Sequence, residues 1–315
     1  MKTAFLFPGQ GSQAVGMGKA LAEQVPAARA VFDEVDQALG EKLSSVIFEG
    51  PEDALTRTRN AQPALMAVSI AAMRALEAEG ITVAARAAYV AGHSLGEYSA
   101  LAAAGSLSLG DTARLLRARG EAMQNAVPEG VGAMAALLGI DRDAAAAIAA
   151  EAATRDEVCE VANDNAPGQV VVSGHKSAVE RAIEIGKSRG ARRAMLLPVS
   201  APFHCALMEP AAEVMANELA GTKIHPPSVP VVANVLAASI ADPTEIRRCL
   251  VEQVTGTVRW RESIAWLGAN GVGRFVEIGA GKVLTGLVRR ILPDAVASAV
   301  GSPEEARALA EELAR

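Results

Sequence analysis

Apolar stretches of strand length alternate with longer segments of helical period along this chain, and that alternation restricts it to the α/β class. Thr3–Phe7 has strand character and stops at Pro8-Gly9, with a helix expected from Ser12 onward. Ala87–Ala91 is a second short strand, followed by a helix Leu95–Ala104 that Gly105 closes. Asp111–Gln124 is a further helix, with Asp111 as its expected N-cap. Toward the C-terminus, Gly273–Ile278 is strand-like, while Lys282–Ile291 and Pro303–Arg315 carry helical patterns.

The middle of the chain has a different rhythm. A strand (Ala133–Ile140), a helix (Asp141–Thr154) and two strands (Val158–Ala162, Gln169–Ser173) precede a helix (Lys176–Arg189) and a strand (Arg193–Val199). That order, βαββαβ, is the ferredoxin-like split motif, which closes a small sheet of its own. The expected architecture is a large α/β subdomain with a parallel sheet, built from residues 1–127 and 200–315. A ferredoxin-like small subdomain, residues 128–199, is inserted in it.

Composition excludes several functions. With 315 residues, 50% hydrophobic, and only 28 Gly and 15 Pro, the chain can bury a sizeable core and is neither disordered nor collagen-like. A net charge of −6, with arginines scattered in ones and twos, argues against a surface that tracks nucleic-acid phosphates. Cys159, Cys205 and Cys249 form no C-x-x-C pair, which argues against a disulfide framework or a zinc site and fits reduced thiols in the cytoplasm. No apolar run reaches the ~18–20 residues that span a bilayer, and the apolar start at Ala4–Phe7 is shorter than the ~7–15 residues of a signal-peptide core. The expectation is a cytoplasmic protein without membrane, nucleic-acid or metal partners.

Three glycine motifs and one histidine bear on chemistry. Gly9-Gln10-Gly11-Ser12-Gln13-Ala14 matches G-x-G-x-x-A, but Pro8 precedes it and Asp33 lies inside a helix-period run rather than at a strand end. Backbone or Gln10 amide donors facing an anion are the preferred reading. Glu277-Ile278-Gly279-Ala280-Gly281-Lys282 lacks the first Gly and the Ser/Thr of a P-loop, so it reads as a strand-to-helix turn. Gly92-His93-Ser94-Leu95-Gly96 is a G-x-S-x-G between a strand and a helix, the context of a nucleophile elbow, and makes the core hydrolase-like. There the helix N-terminus and the Leu95 N–H can stabilise an oxyanion beside Ser94. Of the four histidines, His93 abuts Ser94 in the turn, His175 is expected to cap a helix and His225 sits in a Pro-rich loop. His204, in Ser200-Ala201-Pro202-Phe203-His204-Cys205, is left as the base, and no acidic third member stands out.

Phe7 to Gln13, Gly92 to Tyr98 and Ser200 to His204 together closely resemble the malonyl-CoA:acyl-carrier-protein transacylase family. Asn60 to Ala64, Arg119 to Gln124, Asn163 to Gln169 and Gly279 to Leu284 agree in the same order, so that the resemblance runs from Phe5 to about Ile291. It implies Ser94 as nucleophile, His204 as general base and later acid, and Gln253 as the residue whose backbone carbonyl orients the imidazole. It implies backbone N–H groups of Gln10 and Leu95 as oxyanion donors and Arg119 as partner of the malonyl carboxylate. Phe203 resembles the residue that crowds the acyl α-carbon in malonyl-selective members. Members with Gln in place of His93 exist, a departure that touches fine tuning alone.

The resemblance implies transfer of malonyl from malonyl-CoA to the phosphopantetheine thiol of acyl carrier protein through a malonyl-serine, in service of fatty acid biosynthesis. No cofactor is implied, and the chain is expected to act as a monomer. An acidic carrier docking near the cleft calls for a local basic patch, with Arg189, Arg192, Arg193, Arg289 and Arg290 as candidates. A polyketide-dedicated acyltransferase shares all these residues, a serine esterase shares Ser94 and His204 but has no use for Arg119, and a non-catalytic carrier-binding module has no use for Ser94.

Overall fold

The computed structural model describes residues 1–314. Ten strands lie among them: β1 (Lys2–Phe7), β2 (Tyr89–Gly92), β3 (Gly132–Leu138), β4 (Cys159–Ala166), β5 (Gln169–His175), β6 (Arg193–Leu196), β7 (Val231–Ala233), β8 (Ala238–Ile240), β9 (Val272–Ile278) and β10 (Val296–Val300). Six form one sheet in the order β10-β9-β1-β2-β7-β8, parallel throughout except for β8. The expected α/β class holds. In β1 every residue after Lys2 is buried, as a parallel strand covered on both faces demands. Its side chains alternate between two cores. Phe5 and Phe7 join the cluster built on the helix Thr58–Ala78, while Ala4 and Leu6 pack with Trp260, Ile264 and Leu284.

The other four strands make an antiparallel sheet in the order β4-β5-β3-β6, with the helices Arg142–Ala152 and Lys176–Ser188 packed together over it. This is the ferredoxin-like order expected for a βαββαβ unit. Its last strand ends at Leu196 rather than Val199, where the chain leaves the sheet to line the cleft. Edge strand β4 ties the small sheet to the large subdomain. Asn163 forms an isolated parallel bridge with Val258, supported by Asp164 N–H to Val258 O at 3.0 Å and Val258 N–H to Ala162 O at 2.9 Å. Arg261 then donates through Nε to both Asp164 carboxylate oxygens, at 2.9 and 3.1 Å.

Three local expectations are corrected. The helix expected from Ser12 begins only at Lys19, because Gly16 (φ 89°) and Gly18 (φ 72°) take left-handed conformations that interrupt it. The turn after β1 therefore lacks the helix N-terminus of a dinucleotide site. The N-cap of the helix Leu109–Asn125 is Ser108, not Asp111: Ser108 Oγ accepts from Asp111 N–H at 3.1 Å and donates to Asp111 Oδ2 at 2.6 Å. His175 occupies an N-cap position, but its side chain turns back to accept the Val158 N–H at 2.9 Å. After β9, the buried Glu277 carboxylate accepts the N–H groups of Leu284 and Thr285, so this helix start is capped by the chain's own anion.

The turn after β2 is packed against the end of β1. A Cβ on Gly92 would lie 1.9 Å from the Gly96 carbonyl, and one on Gly96 would lie 2.2 Å from the Phe7 carbonyl oxygen. Both glycines are required for close backbone approach. The left-handed residue of the turn is Ser94 itself, at φ 52°. Gly96→Ala is therefore expected to lower stability by about 1–3 kcal/mol or more, since the obstructing atom is backbone and cannot swing away. Urea unfolding should show a lower midpoint at unchanged slope.

Candidate active site

The carboxyl ends of β1 and β2 lie side by side, with Phe7 opposite Gly92, and each opens into a loop that reaches the cleft between the sheets. A cavity of about 530 Å³ there is lined by Gln10, Ser94, Leu95, Arg119, Phe203 and His204 among others. Residues far apart in sequence are thus gathered by the ends of two adjacent strands, the helix Leu109–Asn125 and the turn after the small sheet.

Ser94 Oγ lies 2.8 Å from His204 Nε2, and His204 Nδ1 lies 2.8 Å from the backbone oxygen of Gln253. A carbonyl oxygen can only accept, so Nδ1 carries the proton and Nε2 is left to accept the Ser94 hydroxyl hydrogen. The tautomer needed for a general base is thereby set without a carboxylate. His204 is 4% exposed and itself has a left-handed backbone, φ 58°. Burial, reinforced by the nearby Arg119 charge, pushes its pKa down from 6.5 to about 3. The imidazole is neutral across the physiological range.

Arg119 is 1% exposed. Its Nη2 donates to Ser94 Oγ at 3.1 Å and to Gln253 Oε1 at 2.9 Å, and its Nη1 donates to Gln62 Oε1 at 2.8 Å. The Tyr98 ring lies 5.7 Å from the guanidinium carbon, and the buried Nε–H has no partner among the described residues. A buried cation held by neutral oxygens beside the serine is suited to receive an anionic group there. The Gln10 and Leu95 backbone N–H groups also have no hydrogen-bond partner among the described residues. Both residues line the cavity, as donors for a developing oxyanion must.

The structure thus brings together all seven residues singled out from the sequence. Phe203 lines the same cavity, and His93 faces away from the serine, with its Nε2 2.8 Å from Asn165 Oδ1. Four residues had not been read as part of the site. Gln62, Glu97 and Asn165 lie within motif blocks but carry no pattern of their own. Asn234, at the end of β7, has no local signal at all. Its Oδ1 accepts the Ser94 N–H at 2.8 Å, and its Nδ2 donates to the Gly92 carbonyl at 2.8 Å, which braces the strained turn from below.

A serine on a strand-to-helix elbow, hydrogen-bonded to a neutral histidine under free N–H donors, is the arrangement that acyl transfer through a covalent ester requires. The chain belongs to the acyl transferase domain family, whose model matches residues 4–308. It is 50% identical over 303 residues to the malonyl CoA-acyl carrier protein transacylase of Bacillus subtilis (strain 168), covering 96% of this chain and 94% of that protein. The crystal structure of acyl-carrier-protein-S-malonyltransferase from Bartonella henselae superposes with a TM-score of 0.97 at 57% identity, over 100% of both chains. A malonyl-transacylase solved in complex with a type II polyketide acyl-carrier protein gives 0.95 at 42% identity, over 99% of this chain and 100% of that one.

The depressed pKa of His204 has a kinetic sign. The base is active when neutral, so lowering its pKa from 6.5 moves the acid limb of Ser94 acylation to lower pH. Single-turnover acylation by a thioester is expected to stay nearly level from about pH 7 to 5, where an imidazole of ordinary pKa would lose about twenty-five-fold.

Proposed function

We propose that this protein transfers malonyl from malonyl-CoA to the phosphopantetheine thiol of acyl carrier protein by a ping-pong route through a malonyl-Ser94 ester, in service of fatty acid biosynthesis. The observation that carries this reading is Arg119, a fully buried guanidinium with Nη2 3.1 Å from the Ser94 hydroxyl. A neutral acyl group gains nothing from that cation, whereas a short acyl group ending in a carboxylate is anchored by it. This favours a malonyl transferase over an esterase for neutral substrates. The relatives' names support the same donor and acceptor.

In the first half-reaction Ser94 Oγ attacks the thioester carbonyl carbon while its proton passes to His204 Nε2. The Gln10 and Leu95 N–H groups receive the oxyanion, each such donor being worth about 3–4 kcal/mol in the transition state. Collapse breaks the C–S bond, and His204 returns the proton to the departing coenzyme A sulfur. In the second, the carrier's thiol gives its proton to His204 and attacks the ester, and Ser94 regains a proton as the malonyl thioester leaves. Phe203 crowds the acyl α-carbon and so favours malonyl over branched homologues. No step calls for a cofactor; among the described residues no group of three or more His, Cys, Asp or Glu is arranged to hold a metal ion, and no helix is long and apolar enough to cross a membrane. Free cysteines at all three positions support a cytoplasmic setting, and we take the working unit to be a monomer.

The carrier is proposed to dock at the end of the small sheet that carries the β4–β5 turn. Of the candidate cations, Arg189 is paired with Glu151 and Arg289 donates to the Ala297 carbonyl at 2.9 Å. Arg290 reaches the β4–β5 turn, donating to Gln169 Oε1 at 2.6 Å and Pro167 O at 3.1 Å. Arg192 packs beside Gly139, whose N–H bonds to Gly168 in that same turn. Arg192 and Arg193 are exposed and have no acidic partner among the described residues, which suits an acidic domain. A relative solved with a polyketide carrier keeps a polyketide acceptor as a second reading, and rates with carriers of the two pathways decide between them.

Intact-mass measurement after brief exposure to malonyl-CoA is expected to show one malonyl adduct, lost on adding carrier and absent in Ser94→Ala. Arg119→Ala should lower kcat/KM for malonyl-CoA by about 1.5–3 kcal/mol while affecting acetyl-CoA far less; an unchanged malonyl preference would contradict the carboxylate anchor. Arg192→Glu with Arg193→Glu is expected to raise the KM for carrier and weaken its salt dependence, with the rate of acylation by malonyl-CoA unaltered.

A further inference from the structure

Among the described residues no carboxylate hydrogen-bonds the imidazole of His204, yet one is buried a single residue away. Glu97 follows Gly96 in the first turn of the helix Gly96–Ala103 and is 1% exposed. Its Oε2 accepts two hydrogen bonds, from the Asn234 backbone N–H at 3.0 Å and from Gln253 Nε2 at 2.8 Å. The two donors come from different parts of the chain, the end of β7 and the helix Pro243–Thr255.

Each donor holds a different part of the site. Asn234 accepts the Ser94 N–H. Gln253 does more: its backbone oxygen receives His204 Nδ1–H, its Oε1 receives Arg119 Nη2–H at 2.9 Å, and its Nε2 also reaches the Ser94 carbonyl at 3.0 Å. A side-chain amide can turn over, exchanging donor for acceptor. An acceptor at Glu97 Oε2 requires the NH2 end of Gln253 on its side and so directs Oε1 toward the guanidinium.

We propose that Glu97 is a positioning residue for acyl transfer: by accepting from both Asn234 and Gln253 it sets the Ser94 turn, the carbonyl that orients His204 and the amide that holds Arg119 in one arrangement. It supplies the acidic member missing from the Ser94–His204 pair, acting through a glutamine instead of on the imidazole. The inference rests on the Ser94–His204 reading above and deepens it. What matters is the acceptor oxygen. Glu97 Oε1 makes no hydrogen bond among the described residues, so an amide NH2 placed there breaks none.

The test is rapid-quench acylation of the full chain by malonyl-CoA and by acetyl-CoA, comparing wild type, Glu97→Gln and Glu97→Leu. Glu97→Leu is expected to slow acylation at saturating donor by about ten- to a hundredfold with both donors, the cost of a modest misplacement of reacting groups. Half-saturating donor concentration should move by less than about threefold. Glu97→Gln, which keeps an acceptor oxygen, should stay within about fivefold of wild type, a rescue that depends on the acceptor and not on the charge. A folded Glu97→Leu with the wild-type rate, a loss confined to half-saturation, or a Glu97→Gln as slow as Glu97→Leu overturns the proposal. Should Glu97→Leu fail to fold, Gln253→Met removes that bond together with the side-chain bonds to Arg119 and the Ser94 carbonyl while leaving the backbone carbonyl; a slowing at least as large is expected with both donors, and a wild-type rate overturns the proposal. Wild type that forms no acyl-serine with either donor is a separate result, which rejects the acyl-transfer reading itself.

Discussion

A guanidinium at 1% exposure is the constraint around which this site is organised. Burying a charge costs several kcal/mol unless polar groups replace water, and Arg119 collects them from four places. Gln62 comes from the long buried helix, Gln253 from the helix behind the imidazole, Ser94 from the elbow, and the Tyr98 ring from the helix after it. The same burial affects the neighbours. It drives the His204 pKa down to about 3 and raises that of Glu97 to about 7 despite its hydrogen bonds and the attraction of Arg119. Charge, nucleophile and base are thus one connected polar network.

The cleft belongs to both sheets because β4 is tied to the large subdomain. The run Asn163-Asp164-Asn165 does three jobs in three residues: a backbone bridge to Val258, an ion pair to Arg261 and a side-chain contact to His93. Val258 lies in the loop that follows Gln253 and its helix. The small sheet is therefore anchored next to the backbone that orients the imidazole. Phe203 and His204 follow shortly after β6, so the inserted unit also delivers the base to the nucleophile.

Much of this was legible in the residues. Alternation of strand-length and helix-period stretches indicated the α/β class and three strands of the large sheet, β1, β2 and β9, while β7, β8 and β10 went unread, and βαββαβ order identified the inserted sheet. G-x-S-x-G marked the elbow because its glycines meet backbone, a demand met by no other side chain. Errors arose where a neighbouring residue competes for a local role. Ser108 outcompeted Asp111 as a cap, and two left-handed glycines delayed the first helix to Lys19. Asn234 and Gln62 were invisible for a different reason: a polar residue inside an apolar stretch has no periodic signature of the partner it will meet. No acid stood out as a third member, and in the structure a backbone carbonyl lies against His204 Nδ1.

By itself the sequence determined part of the local conformation: the βαββαβ segments, where the turn must lack a Cβ, and which serine stands at a helix start. These depend on side-chain period and backbone sterics within a few residues. Tertiary structure alone decided the chemistry of those groups. The tautomer of His204, its depressed pKa, the burial of Arg119 and the amide orientation of Gln253 are set by atoms up to 159 positions distant. Hydrogen-bond geometry and the low dielectric of a closed interior act through space, and neither exists until the two sheets and their helices have packed.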